Sequence, residues 1–260
     1  MTGFLLPVIT LWRREIVRFI RQRSRLGSAL STPLVFWLLL GGGFSASFRP
    51  PGVPQGTGYL EYLYPGMIIL VILFTAIFAT ISVIEDRKVG FLQGVLVAPI
   101  SRASIVLGQA LGGATLALFQ GVLFLLLAPL AGVHLTVTAV MAGIVVMLLV
   151  SFALTSLGLI IAWRMQSIQG FHAIMNLILM PIWFLSGAFF PPTGLPSWLG
   201  WLMRLNPLTY GMAALRSSLY ISNPAAVGSL PPLASSLIIT AAFAAGTFVF
   251  AANTAQRHLE

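Results

Sequence analysis

Residues 62–84 read YLYPGMIILVILFTAIFATISVI, and Glu85-Asp86-Arg87-Lys88 follows at once. The run has no formal charge and no alternation of apolar with polar residues. It exceeds the ~20 residues a helix needs to cross ~30 Å of hydrocarbon. Working outward, five more stretches have the same character: 26–48, 104–130, 135–163, 171–190 and 233–252. All 14 Lys+Arg and all 5 Asp+Glu lie outside the six. A bilayer enforces such sorting, because an ionised side chain at its centre costs a few kcal/mol or more. A soluble fold does not.

A backbone in lipid must satisfy its own hydrogen bonds, so spans are helices or closed barrels. Long unalternating apolar runs exclude the barrel. The expectation is an all-α integral membrane protein with six transmembrane helices in one domain, 1–260. Hydrophobic residues make up 58% of the chain and charged residues 7%, against about 25% charged in ordinary soluble domains. The spans leave no room for a soluble catalytic domain.

The net charge of +9 does not indicate nucleic acid, because the basic residues flank spans. With both termini inside, eleven fall on the inner face: Arg13, Arg14, Arg18, Arg21, Arg23, Arg25, Arg87, Lys88, Arg102, Arg164 and Arg257. Arg49, Arg204 and Arg216 fall outside. The positive-inside rule then places both termini in the cytoplasm. No cleavable signal peptide is expected, since the first apolar run is longer than a signal core.

Residues 1–25 read as an amphipathic interfacial helix. Arg14, Arg18, Arg21 and Arg25 share one face, aimed at lipid headgroups or a cytoplasmic partner, or serving only as a topology anchor. Leu5, Ile9, Trp12, Ile16 and Phe19 share another. The polar inner loop 85–102 contains a short helical stretch, 89–97, stopped by Pro99. Gly108 with Gly112, and Ala110 with Ala114, place small residues one turn apart on the third span. That spacing suits close packing within the chain, or contact between copies. Residues 191–232 hold several prolines and aromatics without an uninterrupted apolar run. They read as short helices re-entering the outer leaflet, with aromatics at headgroup depth.

Chemistry is sparse. With no cysteine, disulfides and thiolate sites are absent. His134, His172 and His258 are too scattered for a metal site. Lys88 is the lone lysine, and Val89 follows it, so a P-loop, which needs Lys then Ser or Thr, is excluded. No nucleotide cofactor is expected in this chain, nor enzymatic activity. The spans hold only mild polar groups, such as Gln109, Gln120, Ser151 and Asn176. An ion-coupled secondary carrier or channel would generally place charge there; that class stands as the alternative.

Two stretches carry a family resemblance. One is Glu85-Asp86-Arg87-Lys88-Val89-Gly90-Phe91-Leu92-Gln93-Gly94 through Pro99 and Arg102 to Gly108. The other is Ser186-Gly187-Ala188-Phe189-Phe190-Pro191-Pro192, then Leu195-Pro196-Ser197-Trp198-Leu199, Asn206-Pro207-Leu208-Thr209-Tyr210 and Leu215-Arg216. They resemble the cytoplasmic loop after the second span, and the outer segment between the last two spans, of type-2 ATP-binding-cassette permeases. Gln93 departs from the Glu often found there.

The resemblance implies an export permease of a bacterial-type inner membrane. Two permease subunits, identical or related, would pair with two ATP-binding subunits that hold the ATP and Mg. By resemblance, 89–97 is the coupling helix and the N-terminal helix supports it. Coupling would fall to Glu85, Arg87, Lys88, Phe91 and Leu92. Spans two and five would line the route, with Phe74, Phe78, Met175, Asn176 and Leu179 as candidates. Pro191, Pro196, Trp198, Asn206, Pro207, Tyr210 and Arg216 would build the outer re-entrant cap.

Overall fold

The computed structural model describes residues 2–21, 23–44, 58–97, 100–221, 227 and 230–257. Every regular element among them is helical: α1 Thr2–Arg21, α2 Arg23–Phe44, α3 Tyr59–Ala79, α4 Ile81–Lys88, α5 Phe91–Val97, α6 Arg102–Leu125, α7 Val137–Ala162, α8 Ile168–Trp183, α9 Ser197–Leu205, α10 Pro207–Leu219 and α11 Leu233–Arg257. A 3-10 turn, Ala128–Ala131, follows α6, and a π turn, Phe184–Ala188, extends α8.

Helix starts follow local chemistry. Ser101, Thr136 and Ser167 accept from the amides of Ser104, Ala139 and Gly170 at 3.1, 3.2 and 3.3 Å. Asn206 does the same for Leu208 at 3.0 Å, with Pro207 in the first turn. These side chains satisfy amide groups that have no partner in a first turn.

Among the described residues, five helical runs are long and apolar enough to span a bilayer: Tyr59–Lys88, Arg102–Leu125, Val137–Ala162, Ile168–Ala188 and Leu233–Gln256. The first expected span is different. It is helical over Arg23–Phe44, but its apolar part is only Pro33–Gly43, and 45–48 lie outside the described residues. The outer loop 49–61 and the end of 191–232 also lie partly outside.

The run that opened the sequence reading is the core. Within Tyr59–Lys88, 83% of the apolar window is buried, against 22% in Ile168–Ala188 and in Leu233–Gln256. Helices α2, α6, α7 and α10 surround α3. Trp37 of α2 packs edge-on against Tyr64 and Phe124 and donates to Leu60 O at 3.2 Å. At 30 residues, the α3–α4 run is about 45 Å long at 1.5 Å per residue. It outreaches the hydrocarbon, so α4 carries Glu85–Lys88 past the apolar layer as a continuation of the core helix. The break at Thr80, whose hydroxyl bonds Ile77 O at 2.6 Å, is where Gly158 of α7 presses in.

The small-residue stripe on α6 packs within the chain, receiving α1. A Cβ at Gly108 would lie 3.0 Å from Val8 O, and one at Gly112 would lie 2.7 Å from Glu15 Cβ. Only glycine admits so close an approach. Accordingly, α1 buries Val8, Leu11 and Glu15 against α6. The face carrying Leu5 and Ile9 stays exposed, with Trp12, Ile16 and Phe19 half-buried beside it.

Candidate functional site

The chain's charges converge at the inner end. Asp86, on the last turn of α4, is 1% exposed. Arg14 donates to it from both Nη atoms, Nη1 reaching Oδ2 at 2.6 Å, and Arg18 Nη1 reaches Oδ1 at 3.1 Å. Arg18 Nη2 also donates to Glu85. Fork-shaped donors on a carboxylate are the strong class of hydrogen bond. The expectation that these arginines face headgroups or a partner is thus corrected for Arg14 and Arg18. Both are spent inside the chain, while Arg13 and Arg21 stay exposed.

Arg14 does more than pair. Its guanidinium lies 3.9 Å from the centre of the Phe91 ring, so one side chain of α1 touches both α4 and α5. The hydrogen bond to Asp86 raises the Arg14 pKa despite its burial. Burial pushes the neighbouring Glu15 carboxyl up, against the pull of Arg18 and Arg14. Arg87 turns the other way and donates to Trp163 O at 2.8 Å and Met165 O at 3.1 Å. It ties α4 to the α7–α8 turn. Charged groups therefore knit four elements at one elbow.

Beyond the elbow, Gly90, at φ +77°, reverses the chain into α5. Of the five coupling candidates, Glu85 and Arg87 are engaged within the chain and Leu92 is buried. Lys88 and Phe91 are exposed, as are Val89 and Val97. An open apolar cleft of about 540 Å³ separates α5 from α1, walled by Leu6, Pro7 and Thr10 on one side and Phe91, Gly94 and Val95 on the other.

The route candidates divide. The Phe74 and Phe78 rings meet at 5.5 Å, tilted by 36°, and Phe78 meets the His172 ring at 4.8 Å. Met175 and Leu179 are buried on one side of α8, whereas Asn176 is exposed.

The outer end is built from neutral hydrogen bonds. The last turns of α8 unwind around Pro181 and Gly187, the latter at φ +81°. Unwinding frees carbonyls, and side chains from elsewhere collect them. Asn206 Nδ2 donates to Ile182 O at 2.7 Å, and Thr209 to Leu185 O at 3.1 Å. Tyr62 donates to Gly187 O at 3.2 Å and Tyr59 to Phe189 O at 3.3 Å. In α3, Pro65 has no amide hydrogen to offer Glu61 O, and the Tyr220 hydroxyl reaches that oxygen at 3.3 Å.

The cap candidates sort by these roles. Pro196 precedes α9 and Pro207 begins α10. Tyr210 donates to Arg204 O at 3.0 Å. Pro191 is buried and Trp198 exposed. Arg216, expected on the outer side and in the cap, is 3% exposed, with Nη2 on Tyr62 O at 3.1 Å and its guanidinium 4.1 Å from the Tyr62 ring centre.

Sequence reading missed Arg14, Arg18 and Asp86 as partners. The signal was present, because two arginines one turn apart match two adjacent acids in charge. Among the described residues no cluster of three metal-ligating side chains occurs.

Comparison with known proteins points one way. A family model described as ABC-2 type transporter matches residues 7–220. A Cyanophora paradoxa protein named as a transport permease, ycf38, is 27% identical over 82% of this chain and 74% of its own length. Nodulation protein J of Sinorhizobium fredii is 29% identical over 81% and 80%. The inner membrane transport permease YadH of Escherichia coli is 25% identical over 80% of each chain.

Proposed function

Because the chain belongs to the ABC-2 type transporter family and is a membrane transport permease, we propose that it is the permease subunit of an ATP-driven exporter. A separate ATP-binding subunit supplies the energy, and ATP and Mg reside there. The observation that carries this reading is the inner elbow. Glu85, Asp86 and Arg87 are engaged within the chain, yet the elbow presents Lys88, Phe91 and Val97 outward on α4 and α5. Such a surface suits a partner that presses on α5 and moves α3 through α4. Arg14 would spread the push to α1, and Arg87 to the α7–α8 turn.

The remaining parts follow from the same reading. The sixth span is assigned to α2. Helix α1 lies in the inner interface, with Leu5, Ile9 and Ile20 towards acyl chains. Helices α9 and α10 form the outer re-entrant cap. Two permease subunits, identical or related, meet two ATP-binding subunits. Phe74, Phe78, Met175, Asn176 and Leu179 are assigned to the route, with Asn176 at the meeting of the two subunits. The inner membrane with both termini cytoplasmic agrees with the basic residues of the inner face and with the name of the Escherichia coli relative.

The test is assembly. Lys88→Glu should abolish co-purification with the ATP-binding subunit while leaving the melting temperature unchanged, because Lys88 is exposed. Assembly that survives both this change and Phe91→Ala refutes the coupling assignment. Proton-driven uptake by this chain alone in proteoliposomes would replace the reading with a secondary carrier.

A further inference from the structure

Three side chains of the formally charged types are buried among the described residues: Glu15, Asp86 and Arg216. The two acids sit among arginines at the inner end. Arg216, at the outer end, forms no ion pair among the described residues. Nη2 faces two carbonyl oxygens, Tyr62 O at 3.1 Å and Gly187 O at 3.5 Å, and Nε has no partner. A cation out of water costs several kcal/mol, which neutral acceptors and one aromatic face offset only in part.

The acceptors do not depend on Arg216. Tyr62 O lies within α3, where the helical ladder supplies its own partner. Gly187 O also receives the Tyr62 hydroxyl at 3.2 Å. Removing the guanidinium therefore strands no carbonyl. It removes a buried charge and leaves the closed arrangement satisfied. This sets the sign: the Arg216 charge works against closure of the outer end.

We propose that Arg216 is the positioning residue that keeps the outer cap poised to open. Its guanidinium is buried between α10, α3 and the Gly187 turn when the cap is closed, and reaches water when those elements part. The neutral bonds around it, from Asn206, Thr209, Tyr59 and Tyr62 to carbonyls, exchange for water one by one. The charge supplies the bias towards that exchange. The inference rests on the permease reading, since it assumes that the outer end opens during transport.

The chain has no cysteine, so a single reporter is clean. Ser186→Cys, in the Gly187 turn and fully buried, reacts with a membrane-impermeant thiol reagent only when the cap parts. In intact membranes, Arg216→Met should lower the labelling rate roughly tenfold, a modest share of a buried charge's penalty. Arg216→Lys keeps the charge and should label within threefold of the parent. Should Arg216→Met fail to accumulate, Arg216→Gln removes the charge equally and takes its place. Neutral variants that label as fast as the parent, or faster, overturn the proposal, as does equal slowing by lysine. If the labelling difference holds while no ATP-dependent export is found with any ATP-binding subunit, the opening bias of Arg216 stands and the exporter reading fails.

Discussion

The two ends of this molecule are fastened by opposite chemistry. At the inner end, Arg14 and Arg18 grip Asp86 and Glu85 in charge-assisted bonds among buried carboxylates. At the outer end, hydroxyl and side-chain amide groups hold carbonyls freed where α8 unwinds, and the buried Arg216 forms no ion pair among the described residues. Arg14 and Arg18 share one buried acceptor, Asp86, so parting α1 from α4 breaks several charge-assisted bonds together. Neutral bonds are replaced by water at little net cost, so the outer end can part stepwise. In an exporter of the kind proposed, that asymmetry would pair a stiff input with a compliant exit.

The largest effect should come from Asp86→Ala, which removes the buried acceptor that Arg14 and Arg18 share and leaves them Glu15 and Glu85. It should cost about 1.5–3 kcal/mol, the range for hydrogen bonds to charged groups, read as a fall in melting temperature of the detergent-solubilised protein. A variant as stable as the parent would show that the elbow is not clamped. Next is Gly112→Leu, which drives a side chain into Glu15 and should cost about 1–3 kcal/mol by overpacking. Limited proteolysis should then release α1, whereas Gly246→Leu, at a site open on all sides, should leave it protected.

Smaller effects belong to the outer end. Asn206→Ala removes both the cap of α10 and the bond to Ile182 O, and should cost about 0.5–2 kcal/mol in the same melting measurement. Tyr220→Phe deletes one hydroxyl from Glu61 O and should cost about 0.5–1.5 kcal/mol. The comparison breaks if either outer change costs as much as Asp86→Ala. It sharpens if both stay below it while raising the labelling rate at the Gly187 turn.

Much of the fold was legible because hydrocarbon is an intolerant solvent. The 62–84 run, the position of α7 and the short helix before Pro99 all follow from where charges and prolines are forbidden. The small-residue stripe on α6 announced a close contact but not its partner, α1. The arginine face of α1 was legible as a face, yet its target lies some seventy residues away at Asp86 and Glu85. Periodicity sorts side chains around one helix and says nothing of what the face meets. Arg216 shows the same limit. Topology counted it on the outer side, but its burial depends on a Tyr62 carbonyl and a Gly187 turn that no local pattern brings together.

By itself, then, the sequence determined which segments are long and apolar, where the basic residues cluster, and that Val89 follows the lone lysine, Lys88. Each of these is a constraint on a residue in its own solvent or its own turn. Only the tertiary structure decided which charges are spent on one another, which freed carbonyls find donors, and which guanidinium is buried without an ion pair among the described residues. Those outcomes depend on groups from distant parts of the chain meeting at hydrogen-bond distance, and their energy exists only once they meet.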